Sequence, residues 1–140
     1  HPWFRRDVRR GEEMRVLIDA GERYELDAMI PTGRILPVAG DHDFRAYPAV
    51  GARSLDDCWR GVRGPLRVRW GDLELTMASS ANATHAVVYS QHPDAVCIEP
   101  QTCAIDAFNL AERGDAGAGV LVAAPGAPVV VETEWRWRSE

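Results

Sequence analysis

Glycine, proline and aspartate interrupt this chain at short, regular intervals, and that spacing constrains the fold more than any other feature. Turn residues at about every ten positions leave room for strands and almost none for long helices. Between the interruptions apolar residues alternate. Leu66-Arg67-Val68-Arg69-Trp70 has the period of a half-buried strand, Gly71-Asp72 supplies a two-residue hairpin turn, and Leu73, Leu75 and Met77 alternate on the return strand. Residues 14–18 and 24–29 read as strands around Gly21-Glu22, with Pro31-Thr32-Gly33 as the next turn. Residues 86–89 and 95–98 are short apolar runs of the kind that form buried strands. Residues 120–123, Pro125-Gly126 and residues 129–138 read as a closing hairpin. Its last strand puts Val131, Thr133, Trp135 and Trp137 on one face and Glu132, Glu134, Arg136 and Arg138 on the other. Residues 106–113 alone suit a helix, kept short by Asn109 and Gly114. Residues 40–57 lack periodicity and read as a long ordered loop, a setting that often carries function. The expected class is all-β: an antiparallel sandwich, with residues 1–140 as one domain or as part of a larger one.

Composition narrows the function. A hydrophobic content of 46% supports a sizeable core, although half of a larger sheet structure would leave an edge or a face uncovered. All 16 basic residues are arginine, spread along a chain of net charge -5, which argues against nucleic acid. Cys58, Cys97 and Cys103 are an odd count without zinc-ligand spacing, so no metal site is expected from spacing, and Cys97 and Cys103 read as small buried thiols. No apolar run is long enough to span a bilayer and no secretory signal opens the sequence, so no membrane partner is expected and a cytoplasmic location is the default. The start at His1, without methionine, suggests that something upstream is absent.

Two stretches carry candidate chemistry. In Cys97-Ile98-Glu99-Pro100-Gln101-Thr102 a carboxylate follows an apolar run and precedes a proline, which holds the glutamate backbone extended. Partial burial there would raise a carboxyl group towards the range useful for proton transfer, although a strand-end glutamate is more often solvated or ion-paired. At the other end, His1-Pro2-Trp3-Phe4 looks like a piece of a lined pocket. A histidine and a glutamate can divide acid and base work near neutral pH. Asp41-His42-Asp43 reads as a polar loop tip rather than a metal cluster, because three consecutive side chains converge poorly on one ion. His85 and His92 read as surface residues. Ser79-Ser80 has no nucleophile-elbow setting, and no glycine-rich phosphate cradle is present.

Taken in order, the segments resemble the aldose 1-epimerase (galactose mutarotase) family, its bacterial branch in particular. That family carries His-Pro-Tyr/Trp-Phe and, far downstream, Cys-Val/Ile-Glu-Pro-x-Thr followed by Asp-Ala-Phe-Asn. The counterparts here are His1-Pro2-Trp3-Phe4, Cys97-Ile98-Glu99-Pro100-Gln101-Thr102 and Asp106-Ala107-Phe108-Asn109. Ile30-Pro31-Thr32-Gly33, Asp43-Phe44-Arg45, Leu55-Asp56-Asp57-Cys58-Trp59 and Pro125-Gly126 match further segments in the same order. Cys103-Ala104-Ile105 departs from the glycine and prolines common there, which bears on the loop after Glu99. The resemblance covers essentially the whole chain but only the C-terminal half of a family member. It therefore implies a missing N-terminal segment, or a second chain, that completes the sandwich and adds an arginine and a histidine to the pocket.

The resemblance implies mutarotation of a free hexose, with no cofactor. Glu99 would be the base at the anomeric hydroxyl and His1 the acid at the ring oxygen. Asp56 and Gln101 would bind sugar hydroxyls, and Trp3 would stack on the pyranose. On residue type alone Asp56 and Gln101 suit a solvated loop equally well, and Trp3 beside Phe4 suits plain core. Two other functions compete. A hexose-6-phosphate 1-epimerase would need arginines near the sugar C6, for which Arg5, Arg6, Arg9 and Arg10 lie close to His1 in sequence. A non-catalytic sugar-binding module would bind without accelerating anomer exchange.

Overall fold

The computed structural model describes residues 1–139, and nearly every element in it is a strand. In chain order these are β1 (Trp3–Arg5), β2 (Met14–Leu17), β3 (Glu22–Asp27), β4 (Ile30–Pro37), β5 (Asp56–Arg60), β6 (Leu66–Trp70), β7 (Leu73–Ser79), β8 (His85–Tyr89), β9 (Ala95–Gln101) and β10 (Thr133–Ser139). One helix, α1 (Ala107–Glu112), lies between β9 and β10, and a single 3-10 turn (Gly40–His42) interrupts the long connection from β4 to β5. All strand pairings are antiparallel. They build a six-stranded sheet in the order β1-β9-β8-β5-β3-β4 and a four-stranded sheet in the order β10-β7-β6-β2.

The period-two pattern decides what lies between the sheets. Phe4, Trp59, Val88, Val96 and Ile98 face inward from one sheet, and Val16, Val68, Trp70, Leu75 and Met77 meet them from the other. The opposite face of the six-stranded sheet is not bare. Tyr24, Cys58 and Val87 form a second, smaller apolar cluster with Ala104, Ala107, Leu110 and Ala118 of the segment that follows β9. That segment is clasped down through Asp115, which accepts hydrogen bonds from the Tyr24 hydroxyl (2.9 Å), the Arg60 guanidinium (3.3 Å) and the Gly117 amide (2.9 Å). Its placement leaves the remainder of this face open for a site.

Several elements match the sequence reading and several do not. The Gly71-Asp72 turn joins β6 to β7 as expected, with Trp70 paired to Leu73. Gly71 supplies the positive φ, 55°, that this turn requires. The β3–β4 turn falls earlier than expected, on Ala28-Met29. Both residues hold positive φ, 45° for Ala28 and 69° for Met29. A two-residue turn matched to strand twist demands such values, though neither residue is glycine. Pro31-Thr32-Gly33 is therefore strand, tolerated because β4 is a sheet edge and needs fewer backbone donors. Residues 40–55 are loop, but Asp56 opens β5, a central strand that the acidic pair Asp56-Asp57 hid from any alternation rule. The closing hairpin is corrected too. Residues 120–123 form no strand, Pro125-Gly126 turns within an isolated Ala124–Ala127 bridge, and β10 pairs with β7 instead. Trp135 and Trp137 do share a face. Trp135 packs on Phe4 with ring centroids 5.7 Å apart, and Trp137 stacks on Trp70 at 6.3 Å.

Candidate active site

The open part of the six-stranded sheet holds a cavity of about 630 Å³. Strand register explains its lining. Trp3 pairs with Cys97, Cys97's other neighbour is Tyr89, and Tyr89 pairs with Asp56. These four side chains form one row across β1, β9, β8 and β5, all on the outer face because Phe4, Ile98 and Val88 fill the inner one. The next row brings Glu99 beside Val87. Because β1 and β9 are antiparallel, two positions before Trp3 lies opposite two positions after Cys97. His1 consequently meets Glu99, and the Ile98 amide, donating to the Pro2 carbonyl at 3.2 Å, extends the ladder between them.

The His1 Nε2 atom lies 3.6 Å from Glu99 Oε2. The two side chains differ sharply in environment: that of His1 is 83% exposed and that of Glu99 only 9%. Glu99 lies inside β9 rather than at its frayed end, and is more buried than a strand-end carboxylate would be. Its oxygens are held by the Gln101 amide, which donates to Oε2 at 2.7 Å, and by the Cys97 thiol, which donates to Oε1 at 3.0 Å. Burial, with the hydrogen bond to Glu99 and the charge of Glu99, pushes the Cys97 thiol up to about 12, so it remains a neutral donor. Asp56 is raised as well, first by burial and then by the negative charges of Asp57 and Glu99. Its neighbour Asp57 turns away to an ion pair with Arg23 (3.1 Å) and lies 3.4 Å from His42 Nε2.

His1, Trp3, Asp56, Glu99 and Gln101 thus line one cavity. Cys97, Tyr89 and His92 line it too, although sequence reasoning placed none of them in a site. Trp3 stands edge-on to Tyr89, with centroids 5.8 Å apart, and to His92, at 5.9 Å. Alternation along β9 and β8 was the available signal for Cys97 and Tyr89; His92 lies in a turn and gave none. His85 corrects the surface reading. It is buried against Tyr24, with its Nδ1 atom 3.0 Å from the Thr84 hydroxyl. Burial lowers its pKa so that the ring stays neutral. Asp41, His42 and Asp43 do not converge: Asp43 pairs with Arg45 (2.6 Å) and His42 with Asp57.

The arrangement of sheets has counterparts among solved structures. A galactose mutarotase-like protein from Clostridium acetobutylicum superposes with a TM-score of 0.82 over 100% of this chain, at 16% sequence identity. The fold is galactose mutarotase-like. A candidate aldose 1-epimerase from Escherichia coli K12 superposes with a TM-score of 0.73 over 99% of the chain, again at 16% identity. The present chain spans 46% and 49% of those two proteins, so about half of each mutarotase-like sandwich has a counterpart here. No protein-family model and no curated protein matches the sequence. Among the described residues no helix is long and apolar enough to cross a membrane.

Proposed function

We propose that the chain carries the catalytic half of an aldose 1-epimerase, interconverting the α and β anomers of a free hexose. The observation that carries this reading is the approach of an exposed imidazole to a buried carboxylate, 3.6 Å apart, in a cavity large enough to admit a monosaccharide on a mutarotase-like sheet. Concave sites of this kind, mostly apolar with a few convergent polar groups, are where small molecules bind. Mutarotation needs one group at the anomeric hydroxyl and one at the ring oxygen, two atoms bonded to the same carbon. Two protein groups this close can address both. Glu99 removes the proton from the anomeric hydroxyl while His1 protonates the ring oxygen. The ring opens, the C1–C2 bond rotates, and closure on the other face reverses both transfers. Gln101 and the Cys97 thiol steady the Glu99 carboxylate, Trp3 offers an apolar wall to the pyranose, and Asp56 accepts from its hydroxyls.

Arg5, Arg6, Arg9 and Arg10 give the sugar-phosphate reading no support. Arg6 is spent on the carbonyls of Ser90, Gly51 and His92, Arg5 on Asp7 and Arg9 on Asp72, and among the described residues no arginine lines the cavity. In our reading the chain is the C-terminal half of a larger mutarotase-like domain, and its partners are a monosaccharide and the polypeptide that completes the sandwich. The test is Glu99→Gln. Polarimetry should show mutarotation reduced on the order of 10²–10⁴-fold, with sugar binding largely retained. A near-full rate in this variant removes the assignment, and sugar binding without rate enhancement in the unmodified protein identifies a binding module instead.

A further inference from the structure

Cys97 sits beside the His1–Glu99 pair with no bond made or broken at its sulfur in the chemistry described, and it completes a different constellation. One imidazole nitrogen, one sulfur and one carboxylate oxygen from His1, Cys97 and Glu99 all lie within 4.8 Å of one another. Cys97 Sγ lies 3.0 Å from Glu99 Oε1, and His1 Nε2 lies 3.6 Å from the other carboxylate oxygen, Oε2. Ligands at Zn–S and Zn–N/O bond lengths of about 2.3 and 2.0–2.1 Å stand about 3.3–3.6 Å apart around a tetrahedral ion. Each contact to Glu99 has about this spacing, so rotation of the exposed His1 ring and of the Glu99 carboxylate would bring one donor atom of each residue onto one cation. Among the described residues no other group of three such side chains comes together in this way.

We propose that His1, Cys97 and Glu99 form a three-ligand site for a borderline-soft divalent cation of the zinc class, and that its occupation silences the cavity. The donor set selects the ion: a thiolate and an imidazole favour zinc over magnesium or calcium, which prefer all-oxygen shells. On binding, the Cys97 thiol gives its proton to solvent and its hydrogen bond to Glu99 is replaced by a bond to the metal. Gln101 remains on the Glu99 carboxylate and orients it, as outer partners of metal ligands do. The cavity reaches all three side chains, so the ion can enter and a solvent molecule can take the fourth position. The binding claim stands on the donor geometry. Its inhibitory consequence rests on the proposed epimerase reading, because the ion would occupy the lone pairs of both the acid and the base.

Titrating the full chain with cobalt(II) as a spectroscopic stand-in, without sugar, tests the site. The expected result is one ion per chain with a thiolate-to-cobalt charge-transfer band. Cys97→Ser should abolish the band, while Cys103→Ser, outside the donor set, should keep it. His1→Gln, an exposed change that leaves the core untouched, should weaken zinc binding by more than about tenfold. Absence of the band, or a band intact in Cys97→Ser, overturns the site. In a parallel polarimetric assay zinc should suppress mutarotation with the midpoint of its binding curve, and a chelator should restore it; full activity at saturating zinc overturns the inhibitory role. A protein that binds cobalt as described but shows no mutarotation before metal is added sinks the epimerase reading and leaves the metal site standing.

Discussion

His85 shows how much one residue's meaning depends on what covers it. In the sequence it borders a short strand among polar neighbours; in the fold it lies beneath the segment after β9, stacked on Tyr24. Burial lowers its pKa below the unfolded value of 6.5. The sign follows: as pH falls below 6.5 the unfolded chain takes up a proton that the folded chain refuses. Stability is therefore full above that value and declines from there towards the lowered folded pKa. Chemical denaturation across this range should show the decline, and His85→Gln should flatten it. Glu99 was legible as a candidate because a carboxylate beside a proline at the end of an apolar run is conspicuous. Cys97 was not, since a small thiol in such a run looks like core until the strand's faces are assigned.

At the level of elements, the segment between β9 and β10 does most to shape the site. Its helix α1 is short, yet the segment stays down because Asp115 gathers three donors and the Ala104 amide donates to the Ala118 carbonyl at 2.9 Å. Ile105, near its start, forms one wall of the cavity. Gly119 closes the clasp at φ +80°, where an added Cβ would run into the Thr102 carbonyl and the His85 ring. Neither obstacle is a flexible side-chain end. Gly119→Ala should cost about 2–3 kcal/mol of stability, combining a strained backbone with overlap against the main chain. A shift in denaturation midpoint measures this; an unchanged midpoint would mean the segment is not held as described. Strand β5 carries the opposite lesson. Its acidic start and the charge of Arg60 conceal a central strand, because Asp57 and Arg60 are satisfied by Arg23 and Asp115, which are remote in sequence.

Over the whole molecule, burial is uneven. Trp59 is fully buried between the sheets, whereas Trp135 and Trp137 on the edge strand β10 remain 45% and 53% exposed. Their rings cap the interior rather than fill it. Trp59→Ala should destabilise the chain by about 3–5 kcal/mol, and Trp137→Ala by roughly half of that, in proportion to the apolar surface each removes from water. Equal costs would mean that β10 is covered in solution. The Clostridium acetobutylicum and Escherichia coli structures are each about twice as long as the part that matches. In our reading a completing half would meet this sandwich at such exposed apolar edges and would bring further groups to the cavity.

Local pattern in the sequence determined the class of fold, the β6–β7 hairpin, the position of the helix and the faces of the alternating strands β6, β7 and β10. These are short-range matters: alternation fixes the face, and glycine, proline and aspartate fix the turns. The partners of each strand were another matter. That β10 lies on β7, that β5 is central, and that β1 runs antiparallel to β9 in the register joining Trp3 to Cys97 are contacts between remote segments. No local periodicity encodes them; they arise when the sheets bury their apolar faces together. The approach of His1 to Glu99, and of Cys97 to both, belongs to this second kind, because a shift of one residue in the β1–β9 register would have turned the imidazole to the opposite face.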